Sequence, residues 1–169
     1  MKKVLLALAI IAGTAFTTFA QTKKSDDSGK FSIGLEAGLP VGDAHQVFKS
    51  VFGGSLKYEL PIAPSTWFTV SAGYNSFQVK KELKDAGLDG SYGAIPVKVG
   101  IKYYIEQGFF AEGQVGAAFG TKSGSSTAFA YSPGIGYTFD GGFEAGVRYE
   151  GWSKNGTTSQ IGLRLAYRF

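Results

Sequence analysis

The sequence has no cysteine, a single histidine and only five prolines in 169 residues. Without cysteine, a cysteine-based zinc site, a thiol nucleophile and a lipid-modified N-terminal cysteine are excluded. No charge of one sign dominates, because the net charge is +4 and two of the excess cations are Lys2 and Lys3 near the N-terminus. Such a small, dispersed charge argues against a nucleic-acid partner. Hydrophobic residues make up 44% of the chain, enough for one ordered domain.

Long apolar runs are also missing, apart from a short one near the N-terminus. Lys2 and Lys3 precede an apolar stretch over residues 4–12, and small residues follow up to Ala20. This pattern predicts that residues 1–20 are a signal peptide cleaved after Ala20. The stretch is too short for a membrane-spanning helix, which needs about 20 apolar residues. Residues 21–30 (QTKKSDDSGK) are predicted to form a flexible polar tail, and residues 31–169 a single domain.

From Phe31 onward, apolar and polar residues alternate, which is the period of a strand with two different faces. Eight such runs follow one another. In the last run, Leu163 and Leu165 alternate with Gly162 and Arg164. Each run has about ten residues, the length that a tilted strand needs to cross a bilayer. The pattern predicts an all-β fold, an eight-stranded antiparallel up-and-down transmembrane β-barrel.

The connections between the runs alternate in length. Short turns are predicted at residues 61–65, 106–108 and 140–142, and longer polar loops after the first, third, fifth and seventh runs. All short turns therefore fall at one end of the barrel, as in outer-membrane barrels with short periplasmic turns and longer extracellular loops. The longest loop, residues 77–91, is expected to contain a helical turn. Pro96 and Pro133 lie inside runs and predict a bulge or a frayed strand end.

Alternation by itself does not distinguish a membrane barrel from a soluble binding barrel, because both have the same period. The less apolar face carries ten glycines, which favours a narrow closed interior over a solvated surface. Aromatic residues cluster at the strand ends and predict two interfacial belts. Tyr92 and Trp152 are expected to be interface anchors at the outer rim. The belts contain Phe31, Phe68, Phe109, Phe139, Phe143, Tyr167 and Phe169 at one end, and Phe52, Tyr74, Phe119, Phe129 and Tyr149 at the other.

The inward face also carries charges of both signs in nearly equal number. A confined interior penalises an unpaired charge by several kcal/mol but tolerates a paired one. We therefore predict an ionic ladder along the lumen, although the same residues would also suit a small diffusion channel. The acids are Glu36, Glu59, Glu112, Glu144 and Glu150, and the bases are Lys57, Lys98, Lys102, Arg148, Arg164 and Arg168.

With its leader, eight amphipathic runs and terminal Phe169, the sequence resembles the small outer-membrane β-barrel family related to OmpX and the OmpA transmembrane domain. Residues 161–169 (IGLRLAYRF) look like the C-terminal signal of that family, carried here by Gly162, Leu165, Tyr167 and Phe169. Arg164 stands where the family often has glycine.

The resemblance implies a Gram-negative outer-membrane location for the whole mature chain, as a monomer. Unlike OmpA, the chain is expected to have no domain after the barrel, because the eighth run ends at Phe169. The implied partners are membrane lipid, lipopolysaccharide, the barrel assembly machinery and periplasmic chaperones.

Some barrels of this family are lipid A acyltransferases or deacylases that use histidine, serine and an acid near the outer surface. Here the single histidine, His45, follows Asp43 by two residues, and Ser50, Ser76 and Ser91 lie near the same rim. No motif fixes a nucleophile, and the inward face offers no apolar pocket for an acyl chain. We therefore expect a non-enzymatic protein, structural or adhesive through its loops, without cofactor or metal. A lipid-modifying enzyme using His45 and a diffusion channel remain the alternatives.

Overall fold

The computed structural model describes residues 28–122 and 124–169, so the predicted signal peptide and most of the polar tail lie outside the described residues. Two short helices, α1 (Ala44–Val47) and α2 (Lys81–Asp85), lie in connections between strands. Among the described residues, no helix has both the length and the apolar character needed to cross a membrane. The strands are β1 (Lys30–Val41), β2 (Phe48–Ala63), β3 (Thr66–Val79), β4 (Ser91–Tyr104), β5 (Phe109–Gly120), β6 (Thr127–Thr138), β7 (Phe143–Ser153) and β8 (Thr157–Arg168).

The eight strands form one closed barrel in which each strand is antiparallel to its neighbours in the chain. The ring closes where β1 pairs with β8, from Ser32 opposite Arg168 to Val41 opposite Ser159. Beyond this ladder, the backbones of Phe31 and Phe169 exchange two hydrogen bonds of 3.1 and 2.8 Å. The predicted eight-stranded up-and-down barrel is thus confirmed. Closure removes the open edges that would otherwise leave backbone groups unpaired.

The connections differ between the two ends of the barrel. At one end, here named the turn end, residues 64–65, 105–108 and 139–142 join the strands. At the other, the loop end, the connections are residues 42–47, 80–90, 121–126 and 154–156. The prediction of a long fourth loop is wrong. Strands β7 and β8 continue their pairing to Ser153 opposite Thr157, which leaves a turn of three residues.

The longest loop is shorter than predicted because β3 extends to Val79. Phe77 and Val79, which the sequence placed in the loop, point into the barrel and are only 3% and 2% exposed. The helical turn predicted for this loop is confirmed as α2. Gly87 follows it with a φ of 96°, a left-handed conformation that suits glycine after a helix.

Neither proline causes the predicted bulge or frayed end. Pro96 pairs with Ala118, and Pro133 pairs with Gly113, in unbroken register. Each proline instead interrupts the ladder on its other side, because its nitrogen has no hydrogen to donate there. The register on that side is the same before and after the gap. For Pro96, the flanking pairs are Ala72 with Val97 and Asn75 with Ala94. For Pro133, they are Tyr131 with Gly151 and Gly134 with Arg148.

The two faces of the barrel have opposite chemistry. Large apolar side chains point outward, with Leu35 76% and Phe143 63% exposed. Charged side chains point inward, and both Glu59 and Lys102 are fully buried. This confirms the predicted orientation, with apolar residues outside and small and ionic residues inside. A continuous apolar outer band around a polar interior is the arrangement of a membrane barrel.

Candidate functional site

The eleven charged residues of the inward face form one connected ionic network. In its half nearer the turn end, Lys102 contacts Glu59 at 3.0 Å and also forms an ion pair with Glu144. The ammonium of Lys57 lies 2.6 and 2.8 Å from the two carboxylate oxygens of Glu112. Arg168 contacts Glu59 at 3.2 Å. Each cation in this half therefore has at least one carboxylate within ion-pair distance.

The half nearer the loop end is organised around Arg148. Its guanidinium contacts Glu36 at 2.5 Å and Glu150 at 2.9 Å, and Lys98 contacts Glu150 at 3.0 Å. Arg164 joins the two halves, because it lies 3.2 Å from Glu144 and 3.8 Å from Glu36. The structure thus brings together all the charged residues that the sequence placed on the inward face.

Most of these ion pairs cross the lumen. Lys57 of β2 reaches Glu112 of β5, and Lys98 of β4 reaches Glu150 of β7. Lys102 of β4 holds carboxylates of β2 and β7 at once. Such contacts form only after the sheet has closed into a ring. They connect opposite walls of the barrel in a poorly hydrated space, where charges are tolerated because they are paired.

An apolar cluster, here named the outer plug, fills the lumen between the network and the loop end. Trp152 is 9% exposed, and its ring lies 4.9 Å from that of Phe77. Its indole nitrogen donates a hydrogen bond of 2.9 Å to Glu150, which ties the plug to the network. The outer plug consists of Val51, Phe77, Ala94, Ala118, Ala130 and Trp152.

The expectation that Trp152 anchors the outer rim in the interface is therefore wrong. Strand β7 extends to Ser153, so the alternation places Trp152 on the same inward face as Arg148 and Glu150. Counting every second residue beyond Glu150 would have revealed this position. Tyr92 lies at the loop end on the same side of β4 as the inward-facing Ala94, 36% exposed, and the ammonium of Lys122 lies 4.0 Å from its ring centre.

Between the described side chains of the lumen lie small cavities, among them three with volumes of about 10, 10 and 20 Å³. Each is the size of one or two water molecules. All three are bordered by Arg148, and charged or small residues make up most of their walls. The interior is thus filled by side chains, as expected for a barrel of eight strands.

The residues of the predicted assembly signal do not share one surface. Gly162 faces the lumen between Gly38 and Arg148 in the neighbouring strands. Leu165, Tyr167 and Phe169 face outward and are 54%, 45% and 63% exposed. Residues 161–169 thus form an amphipathic segment with an apolar outer face.

His45, the residue of the enzymatic alternative, lies in α1 and is exposed at the loop end. Within the described part of the chain, its imidazole has no hydrogen bond to Asp43 or to a serine hydroxyl. The Ser76 hydroxyl accepts a 2.9 Å hydrogen bond from Gln78 instead. In residues 28–122 and 124–169, no three histidine or acidic side chains are arranged to hold a metal ion.

Comparison with known proteins identifies the family of this barrel. A family model described as outer membrane protein beta-barrel domain matches residues 4–169. The chain belongs to this family. It is a Gram-negative outer-membrane β-barrel protein, and the soluble-barrel alternative is excluded. The turn end is accordingly periplasmic and the loop end extracellular.

Solved structures with the same fold include proteins of different activity. The attachment invasion locus protein Ail of Yersinia pestis is 21% identical, with a TM-score of 0.62, over 83% of this chain and 97% of that one. The outer membrane enzyme PagL is 16% identical, with a TM-score of 0.61, over 80% and 98% of the two chains. The N-terminal β-barrel domain of Pseudomonas aeruginosa OprF is 16% identical, with a TM-score of 0.55, over 84% and 100%. No curated protein matches the sequence.

Proposed function

We propose that this protein is a non-enzymatic outer-membrane barrel with structural and adhesive roles, and that its extracellular loops bind the ligand. The observation that carries the proposal is the filled lumen. The ionic network and the outer plug occupy the interior, and the cavities between them have room for one or two waters. A partner would therefore contact the lipid-facing wall or the loop end.

The filled lumen also argues against the diffusion-channel alternative. An ion would have to displace the paired charges of the network and then pass the ring contact of Phe77 and Trp152. We expect no steady conductance from the purified protein in a planar bilayer, with an open porin as the positive control. Steady, large conductance steps from the folded protein would contradict the proposal.

The loop end offers an excess of cations to an anionic ligand. Six lysines lie in the extracellular connections or the adjoining strand end, against four acids. The Ail protein has been solved in complex with the heparin analogue sucrose octasulfate. By analogy, we propose that a sulfated polysaccharide is the class of ligand for the loops of this chain. The lysines are Lys49, Lys80, Lys81, Lys84, Lys122 and Lys154, and the acids are Asp43, Glu82, Asp85 and Asp89.

This proposal is tested by the binding of proteoliposomes to immobilised heparin. Replacing Lys49, Lys81, Lys84 and Lys154, all exposed, by glutamine is expected to weaken binding about tenfold. The matched control replaces Glu82 and Asp85 by their amides, which should strengthen binding because it removes repulsion. Unchanged binding of the lysine variant would contradict the role of the loops.

The enzymatic alternative is tested at His45. The enzyme PagL has the same fold, but at 16% identity that likeness supports no shared chemistry. We expect vesicles that contain the His45→Ala variant and vesicles that contain the unaltered protein to give the same background turnover of radiolabelled lipid A. Turnover by the unaltered protein that is lost in His45→Ala would overturn the non-enzymatic assignment.

We further propose that residues 161–169 act as the assembly signal. The signal would be read by the assembly machinery after a leader ending at Ala20 is cleaved and chaperones carry the monomer across the periplasm. Deleting Phe169 removes an outward ring that is 63% exposed, and it should lower the amount of heat-modifiable barrel in purified membranes. Phe139→Ala, which removes an outward ring outside β8, is the control. Normal membrane levels of the truncated chain would contradict the signal.

A further inference from the structure

One cavity in the middle of the lumen has an unusual balance of charge. Its volume is about 10 Å³, and its wall contains four cationic side chains but one carboxylate. The cations are Lys57, Lys98, Arg148 and Arg164, and the carboxylate is Glu36. A water-sized space surrounded by so many cations favours an occupant with negative charge.

Each oxygen of the Glu36 carboxylate already accepts a hydrogen bond. One oxygen accepts a 2.6 Å hydrogen bond from the Ser55 hydroxyl, and the other accepts a 2.5 Å hydrogen bond from Arg148. Lys98, in contrast, has three N–H donors, and the described residues supply it with one acceptor, Glu150 at 3.0 Å. The cavity therefore has donors in excess over acceptors.

The whole ionic network has the same imbalance. Its six bases and five acids leave one positive charge in excess, and their side chains are at most 18% exposed. An uncompensated charge in such a space costs several kcal/mol. A single negative charge in the cavity would balance the network.

We propose that this cavity binds one small monovalent anion of the halide class, such as chloride. A monatomic anion accepts hydrogen bonds from several directions at once, which suits donors converging from different strands. A cation would be repelled by the four basic side chains, and a sulfate ion exceeds the space available.

The first test compares protein refolded from urea in sodium chloride with protein refolded in sodium gluconate at equal ionic strength. Heat unfolding is followed by the gel shift of the folded barrel. Chloride at twice its dissociation constant should slow unfolding about threefold, provided the site is lost in the transition state. Crystals grown in sodium bromide should show an anomalous peak in the cavity.

A variant of Gln114 separates this site from general salt effects. Gln114 lines the cavity and is 3% exposed, and Gln114→Glu adds a fixed negative charge with little change of shape. Its unfolding rate should not depend on chloride. Gln78→Glu, at the loop end and outside the cavity lining, is the matched control and should keep the threefold effect.

Equal unfolding of the unaltered protein in both salts would overturn the proposal, and so would a chloride effect that persists in Gln114→Glu. If Gln114→Glu does not fold, the crystals of the unaltered protein grown in sodium bromide show whether the cavity contains an anion. A cavity without an anomalous peak contains water and refutes the anion site.

Discussion

The lumen and the loop end of this barrel use the same kinds of charged residue for opposite purposes. In the lumen, eleven charged side chains are bound into one network, and Lys102 and Glu59 have no exposure at all. At the loop end, Lys49, Lys81 and Lys154 are exposed, and Lys122 with Asp89 is the one ion pair found among the described residues there. Placement, rather than residue type, decides whether a charge stabilises the fold or remains available to a ligand.

The physical reason is the difference in hydration. Removing one partner of a buried ion pair leaves a charge that water does not reach, at a cost of about 3–5 kcal/mol. An exposed pair contributes about 0.2–1 kcal/mol, because water and salt already screen both charges. The comparison therefore predicts a graded series of effects from the lumen to the loops.

The largest effect is expected for Lys102→Met, which keeps an unbranched side chain, one atom shorter, but removes its charge. Glu59 and Glu144 would each lose a buried partner, so the free energy of unfolding should fall by about 3–5 kcal/mol. Urea unfolding in detergent, followed by the gel shift, measures the loss. A loss of less than about 1 kcal/mol would mean that the network is hydrated like the loops.

The outer plug is expected to come next. Trp152→Ala should lower the stability by about 3 kcal/mol, because it opens a cavity beside Phe77. Trp152→Phe keeps a ring and loses the bond to Glu150, for a loss of about 1 kcal/mol. Phe129→Ala removes an outward ring at the same end and is the control.

The outer plug is also tested by fluorescence. In a Trp67→Phe background, Trp152 is the one tryptophan left, and its fluorescence should resist quenching by iodide. Efficient quenching would contradict the sealed plug.

A smaller effect is expected from a pair of glycines on neighbouring strands. A methyl group at Gly100 would lie 2.1 Å from the carbonyl oxygen of Gly113, whereas one at Gly113 meets nothing within 4 Å. Gly100→Ala should therefore cost about 1–3 kcal/mol. Gly113→Ala should be neutral or stabilising by up to about 1 kcal/mol. Equal unfolding midpoints for the two variants would show that the lumen adapts to added volume.

The smallest effect is expected at the loop end. Lys122→Ala breaks the pair with Asp89, whose two side chains are 37% and 70% exposed. The loss should be about 0.2–1 kcal/mol and should shrink further at 1 M salt. Urea midpoints at low and high salt measure it. A large loss of stability that does not depend on salt would show that this exposed ion pair behaves like the buried pairs of the lumen.

Most of the fold was predictable because the period-two pattern is a local property. Eight runs predicted eight strands, and the glycines and charges of one face predicted which side is enclosed. The ends of the strands were less predictable. Strands β7 and β8 continue to Ser153 and Thr157 because they pair with each other, although residues there carry little alternation. The same extension hid the inward position of Trp152.

The sequence by itself determined the number of strands, their order and, within the central part of each strand, the face that a residue occupies, because these depend on neighbours one or two positions away. The tertiary structure decided which acid meets which base and what seals the lumen. Lys57 and Glu112 are 55 residues apart in sequence, yet their side chains meet across the barrel. Their contact depends on the combined register of every strand between them, which no local sequence pattern determines.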